Sequence, residues 1–159
     1  MKIKEKPVIC FGLERFRDFR LLRILFAHEY AHFLLNLGVE EIPGESRLKW
    51  LLISEGIATY FTFLAFPNYK LSDHFLFQEE TLIWCQTNEA FLREIYSLKT
   101  FSIQRATDIY YKGDGEFNVP PRAGKYLGFQ SVKNYLAQDI ERTINLIIND
   151  KMKALVLEI

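Results

Sequence analysis

Two of the chain's three histidines fall in Phe26-Ala27-His28-Glu29-Tyr30-Ala31-His32, a His-Glu-x-x-His spacing inside a segment of helical periodicity. On an α-helix, residues four apart share a face about one turn apart, so His28 and His32 can reach one ion while Glu29 projects beside it. Two imidazoles and an adjacent carboxylate are the donors of a zinc centre that carries its own general base. Such a centre also needs a third protein ligand, an open position for water, and a group that stabilises the charge formed during reaction. The rest of the chain has to supply them.

The elements that must position these residues read as mainly helical. A helix is expected over residues 18–37, with Asp18 as its N-cap and Gly38 as its stop. Residues 38–46 carry one proline and two glycines and read as a loop, with Ser46 able to cap the next helix. That second helix is expected over 47–66, halted by Pro67. Past Trp50 it is apolar almost all round, which marks a buried helix, and Glu55 is the one carboxylate left in that surface. A buried carboxylate needs a cation or a proton, and Lys49 and Arg47, six and eight residues away, lie outside the spacing of helical ion pairs. The midpoint of the histidine pair lies roughly 10 Å before the end of its helix, and Glu55 about 13 Å into the next. If the two helices pack antiparallel, Glu55 meets the histidines as the third ligand.

The remaining elements read as scaffold. Pro7-Val8-Ile9-Cys10-Phe11 is a short β-prone run, with residues 116–119 as the nearest candidate partner. Ser72 can cap a third helix over 73–98, interrupted near Thr87-Asn88, and His74, beside that cap, is expected at the surface. Shorter helices are expected over 103–111, 123–137 and 139–148, with a last turn in 151–159 and a loop over 112–122. The expected fold class is mainly α: a single compact helical domain over residues 1–159, with the His-Glu-x-x-His helix antiparallel to the helix of Glu55 and a minimal β element near the amino terminus.

Composition narrows the function. Lys plus Arg and Asp plus Glu are 20 each, a net charge of +0, which gives no broad attraction to nucleic acid or to an acidic membrane. The 14 Phe and 8 Tyr fall at helical spacing without a basic groove, and so read as core and not as a base-stacking platform. Cys10 and Cys85 have no ligand spacing and read as free thiols. No apolar run approaches the roughly 18 residues of a membrane span, and Val8–Phe11 is too short for a signal-peptide core. A soluble, cytoplasmic protein is expected.

His28-Glu29-x-x-His32 followed by Trp50-x-x-x-x-Glu55-Gly56-x-Ala58-x-Tyr60 resembles the gluzincin metallopeptidases, in which a glutamate on a second helix completes a zinc site. The stretch Pro120-Pro121-Arg122-Ala123-Gly124-Lys125-Tyr126-Leu127-Gly128-Phe129 is similar, more narrowly, to the predicted zinc-dependent proteases of the DUF2268 group. The resemblance implies a Zn2+ ion held by His28, His32 and Glu55. It also implies hydrolysis of a peptide or unfolded protein substrate by a zinc-activated water, with Glu29 as general base. Tyr126 is the first candidate for the group facing the oxyanion, with Arg122, Tyr110 and Tyr111 in reserve. Thermolysin-like members carry an aspartate four residues after the third ligand; Thr59 stands there, so the ligands must be oriented from elsewhere. Only residues 1–17 precede the motif helix, fewer than the sheet that gluzincins build there requires, so either an abbreviated substrate cleft or a relative shortened at the amino terminus is expected. The alternative function is a catalytically inactive zinc-binding module with a structural or peptide-binding role.

Overall fold

The computed structural model describes residues 2–3, 6–7, 18–36, 47–97 and 101–136. Strands β1 (Lys2–Ile3) and β2 (Lys6–Pro7) pair antiparallel, Lys2 opposite Pro7 and Ile3 opposite Lys6. Among the described residues the remaining elements are helical, as expected: α1 (Leu22–Asn36), α2 (Arg47–Ala65), α3 (Leu71–Phe75), α4 (Glu79–Thr87), α5 (Glu89–Tyr96), α6 (Ile103–Lys112) and α7 (Gly124–Leu136).

The strand expected over residues 7–11 is described only at Pro7, whose partner is Lys2; Val8 to Phe11 lie outside the described residues. Its expected pairing with residues 116–119 therefore also lies outside the described residues. Val119 bridges Asp114 through two N–H···O bonds of 2.8 Å. The Asp114 carboxylate accepts from the N–H groups of Glu116 and Phe117 and pairs with Arg105, so this loop is closed on itself by local bonds.

Asp18 caps as expected, its carboxylate accepting from the Arg20 N–H at 2.9 Å, but the chain first makes a 3₁₀ turn over Phe19–Leu21 before α1 begins. Along α1 the buried positions are Ile24, Ala27, His28, Ala31 and Leu35, a one-sided stripe at helical spacing. The motif histidine His28 is thus part of the face that packs. Helix α2 is buried continuously from Gly56 to Tyr60 and lies at the centre, packed against both α1 and α7. The core around it includes Ile53, Ile57, Phe75, Leu92, Ile95 and Phe129.

The long third helix is in fact three. The break at Asn88 falls where Thr87-Asn88 suggested, with the Asn88 side chain donating to the Trp84 carbonyl at 2.8 Å. A second break at Leu76 has no glycine or proline to announce it. Leu76 takes φ 56°, the left-handed region that a Cβ disfavours by about 1–2 kcal/mol. Across this break Ser72, which lies inside α3 and does not cap it, donates to the Glu79 carboxylate at 2.7 Å, and Phe75 stacks on Phe77 with centroids 5.3 Å apart. The turn also carries His74 inward. Its exposure is 0 %, its Nδ1 lies 3.2 Å from Thr62 Oγ1, and Phe63 and Tyr69 flank the ring, so the expectation of a surface histidine is corrected.

Residues 37–46, including Gly38 and Ser46, lie outside the described residues, as do Cys10 and the helices expected beyond 136. Cys85 is a buried free thiol. No described helix is long and apolar enough to cross a membrane.

Candidate metal centre

His28 projects from the packed stripe of α1 and is 3 % exposed; His32 lies one turn on, at the edge of that stripe and half-buried. Glu55 reaches them from α2. The two Nε2 atoms are 3.2 Å apart, Glu55 Oε2 is 3.3 Å from His28 Nε2, and Glu55 Oε1 is 3.4 Å from His32 Nε2. The rings stand edge to face, with centroids 4.8 Å apart.

This triangle can be tested against an ion. Zinc bonds of ~2.1 Å arranged tetrahedrally separate neighbouring ligand atoms by about 3.4 Å. The 3.2 Å between the two Nε2 atoms is close to that spacing, and Glu55 presents one oxygen to each histidine, so one ligand atom from each of the three residues lies within 4.8 Å of the others. Two imidazoles and one carboxylate are also a donor set suited to zinc. Among the described residues, His28, His32 and Glu55 form a group able to hold a metal.

The same contacts set the charges. Burial pushes the His28 imidazole down to about 4, Lys125 pushing further in the same direction and Glu55 opposing both. Burial alone would raise the Glu55 carboxyl; hydrogen bonds from His28 and His32, then the Lys125 charge, overcome it and hold the group well below the usual carboxylate range. A neutral His28 beside an ionised Glu55 is the protonation state a cation needs.

Glu29 follows His28 on α1, half-buried, and its charge reaches Lys125. Tyr126 does not join it. Its hydroxyl donates to Glu89 Oε2 at 3.1 Å and accepts from Gln130 Nε2 at 2.8 Å, while its ring packs on Phe75, so its polar atom is spent on α5 and on its own helix. Arg122 is exposed, with φ 63° and its N–H on the Tyr110 carbonyl at 2.6 Å; its charge is felt by both Lys125 and Tyr110. Tyr110 is buried, and burial together with the charge of Glu55 raises its hydroxyl far above the ordinary range. Tyr111 is exposed and lines a cleft of about 620 Å³ between α2 and α6 that opens onto His32 and Glu55, with Trp50, Leu51 and Ile103 among its walls.

The residue the sequence reading passed over is Lys125. It is 3 % exposed, its Nζ lies 3.4 Å from His28 Nε2 and 3.5 Å from Glu55 Oε2, and burial lowers its pKa while Glu55 pulls it up. The signal was available: Lys125 is the one charge in residues 123–129, as Glu55 is in the apolar part of α2.

The close approach of α2 and α7 positions this lysine. A Cβ on Gly56 would overlap the carbonyl of Gly128, and one on Gly128 would overlap the carbonyl of Leu52, so the two backbones touch. Glu55 precedes one of these glycines and Lys125 lies about one turn before the other.

A family model described as "Predicted Zn-dependent protease (DUF2268)" matches residues 3–155. Neither a curated protein nor a solved structure matches the chain.

Proposed function

From the premise that the chain belongs to this family of predicted Zn-dependent proteases, we propose that it is a zinc-dependent peptidase of gluzincin type, with His28, His32 and Glu55 as ligands and Glu29 as general base. The observation that carries the reading is the convergence of His28, His32 and Glu55, whose ligand atoms lie within 4.8 Å of one another. Zinc held there would supply the Lewis acid that makes water a nucleophile near neutral pH.

The chain's own groups do the rest. The Glu29 carboxylate takes a proton from the attacking water and returns it to the nitrogen of the leaving amine. The cleft between α2 and α6 receives part of the peptide, its walls mixing Trp50, Leu51 and Ile103 with Gln104 and Thr107. The substrate class is a peptide or an unfolded protein segment, which can enter such a cleft in extended form. A cytoplasmic setting belongs to the same proposal and is supported by the buried free thiol of Cys85.

A second reading, a zinc-binding module without turnover, is favoured by one observation. His28 Nδ1 is buried with no hydrogen-bond partner, as is Thr59 Oγ1, whereas the distal nitrogen of a catalytic zinc histidine is ordinarily held by an acceptor. One experiment separates the two. Zinc content and hydrolysis of a randomised peptide library are measured for the wild type and Glu29→Gln; peptidase chemistry requires turnover in the first and its loss, with zinc retained, in the second. Zinc without turnover in the wild type selects the module.

A further inference from the structure

An amine buried inside an otherwise apolar helix segment calls for a reason. Residues 123–129 are all buried, and a methionine of similar length would fill the place of Lys125 without the cost of desolvating an ammonium, so packing alone does not account for it. Its polar contacts are with two of the three candidate ligands, at 3.4 and 3.5 Å. Nζ therefore lies against the edge that joins His28 to Glu55, within reach of a group bound beside them. A fourth, non-protein oxygen bound when three protein ligands fill the other positions would lie next to such an edge, within hydrogen-bond reach of a lysine there. Lys125 also lies in the first turn of α7, whose amino end adds positive potential, and the Arg122 charge reaches it.

We propose that Lys125 Nζ donates a hydrogen bond to the carbonyl oxygen of the scissile peptide and holds the oxyanion that this oxygen becomes. As the water oxygen bonds to the carbonyl carbon, the C=O π pair moves onto the carbonyl oxygen beside Nζ and the water proton passes to Glu29. When the π bond re-forms, the C–N bond breaks and Glu29 delivers that proton to the amine, leaving a carboxylic acid and a free amine. This role rests on the peptidase reading above, and it gives Lys125 the part for which Tyr126 was the first candidate.

The test compares zinc-loaded wild type with Lys125→Met and Lys125→Arg in three measurements: zinc content, affinity for acetohydroxamate, and kcat and KM on an internally quenched peptide that the wild type cleaves. The expected result is full zinc content in both variants. In Lys125→Met, acetohydroxamate binds about tenfold more weakly and kcat falls about 100-fold with KM little changed, while Lys125→Arg recovers part of both. Unchanged acetohydroxamate affinity and kcat in Lys125→Met overturn the assignment and leave the zinc reading standing. Loss of zinc in Lys125→Met also overturns it, because the lysine would then be a support for the ligands. If Lys125→Met does not fold, Lys125→Ala takes its place, and full zinc content with unchanged hydroxamate affinity and kcat overturns the role. A wild type that binds no zinc removes the peptidase reading and this role with it.

Discussion

Gly56 on α2 and Gly128 on α7 meet backbone to backbone, and the groups on either side of that contact, Glu55 and Lys125, form an ion pair of 3.5 Å. Gly128→Ala would place a methyl group on the Leu52 carbonyl, an atom that cannot move without displacing α2. The expected cost is roughly 2–4 kcal/mol, since overpacking against main chain is relieved only by moving a helix. Denaturant unfolding gives the loss. Zinc affinity measured on the same variant should fall as well, because the helices that separate carry Glu55.

Tyr126→Phe removes a hydroxyl whose partners are Glu89 and Gln130. Hydrolysis should stay within about twofold of wild type, with a stability loss of about 1 kcal/mol for the broken hydrogen bonds. A 100-fold fall in kcat at unchanged stability would return this tyrosine to the reacting centre.

Acid should destabilise the metal-free protein before its carboxylates titrate. His28, 4 % exposed at the side chain, has its pKa depressed from 6.5 to about 4, and buried His74 is shifted in the same direction by burial. Between those values the unfolded chain binds more protons than the folded one, so stability is complete above about pH 6.5 and declines as pH falls towards 4. The His28 contribution is roughly 2–3 kcal/mol across that window. Thermal unfolding from pH 7.5 to 4.5 should show this fall, and His28→Gln should flatten it.

Chelation should lower stability by mass action. A ligand present at about 1,000 times its dissociation constant stabilises by about 4 kcal/mol, all of which is withdrawn with the ion. For a chain of this size each kcal/mol moves the melting temperature by about 2–4 °C, so a chelator should lower it by roughly 10 °C in the wild type and leave His32→Ala nearly unmoved. Equal shifts in the two proteins would place the metal elsewhere.

Much of this arrangement was legible in the sequence because it depends on periodicity and on charge out of place. The four-residue spacing of His28 and His32, and one carboxylate in the apolar wall of α2, are enough to bring three donors together once two helices pack antiparallel. The same logic applied to residues 123–129 would have found Lys125. Tyr126, the residue that the resemblance favours, lies one residue on and about 100° round the helix, where it faces α5. The break at Leu76 was not legible, since a leucine with positive φ is held there by the Ser72–Glu79 bond and the burial of Phe75. His74 was misplaced for the same reason: its burial depends on a turn that no residue type announces.

The stripe that α1 turns to the core contains Ala27 and Ala31, one on each side of His28 along the helix. Such small residues act as spacers that set how far α1 stands from its neighbours, and His28 and Glu55 are short enough that this standoff fixes the size of the triangle between them. The radius of an ion held between these helices would therefore depend partly on side chains that are not themselves ligands. A bulkier side chain at position 31 would retune the choice of cation while leaving every donor in the sequence unchanged.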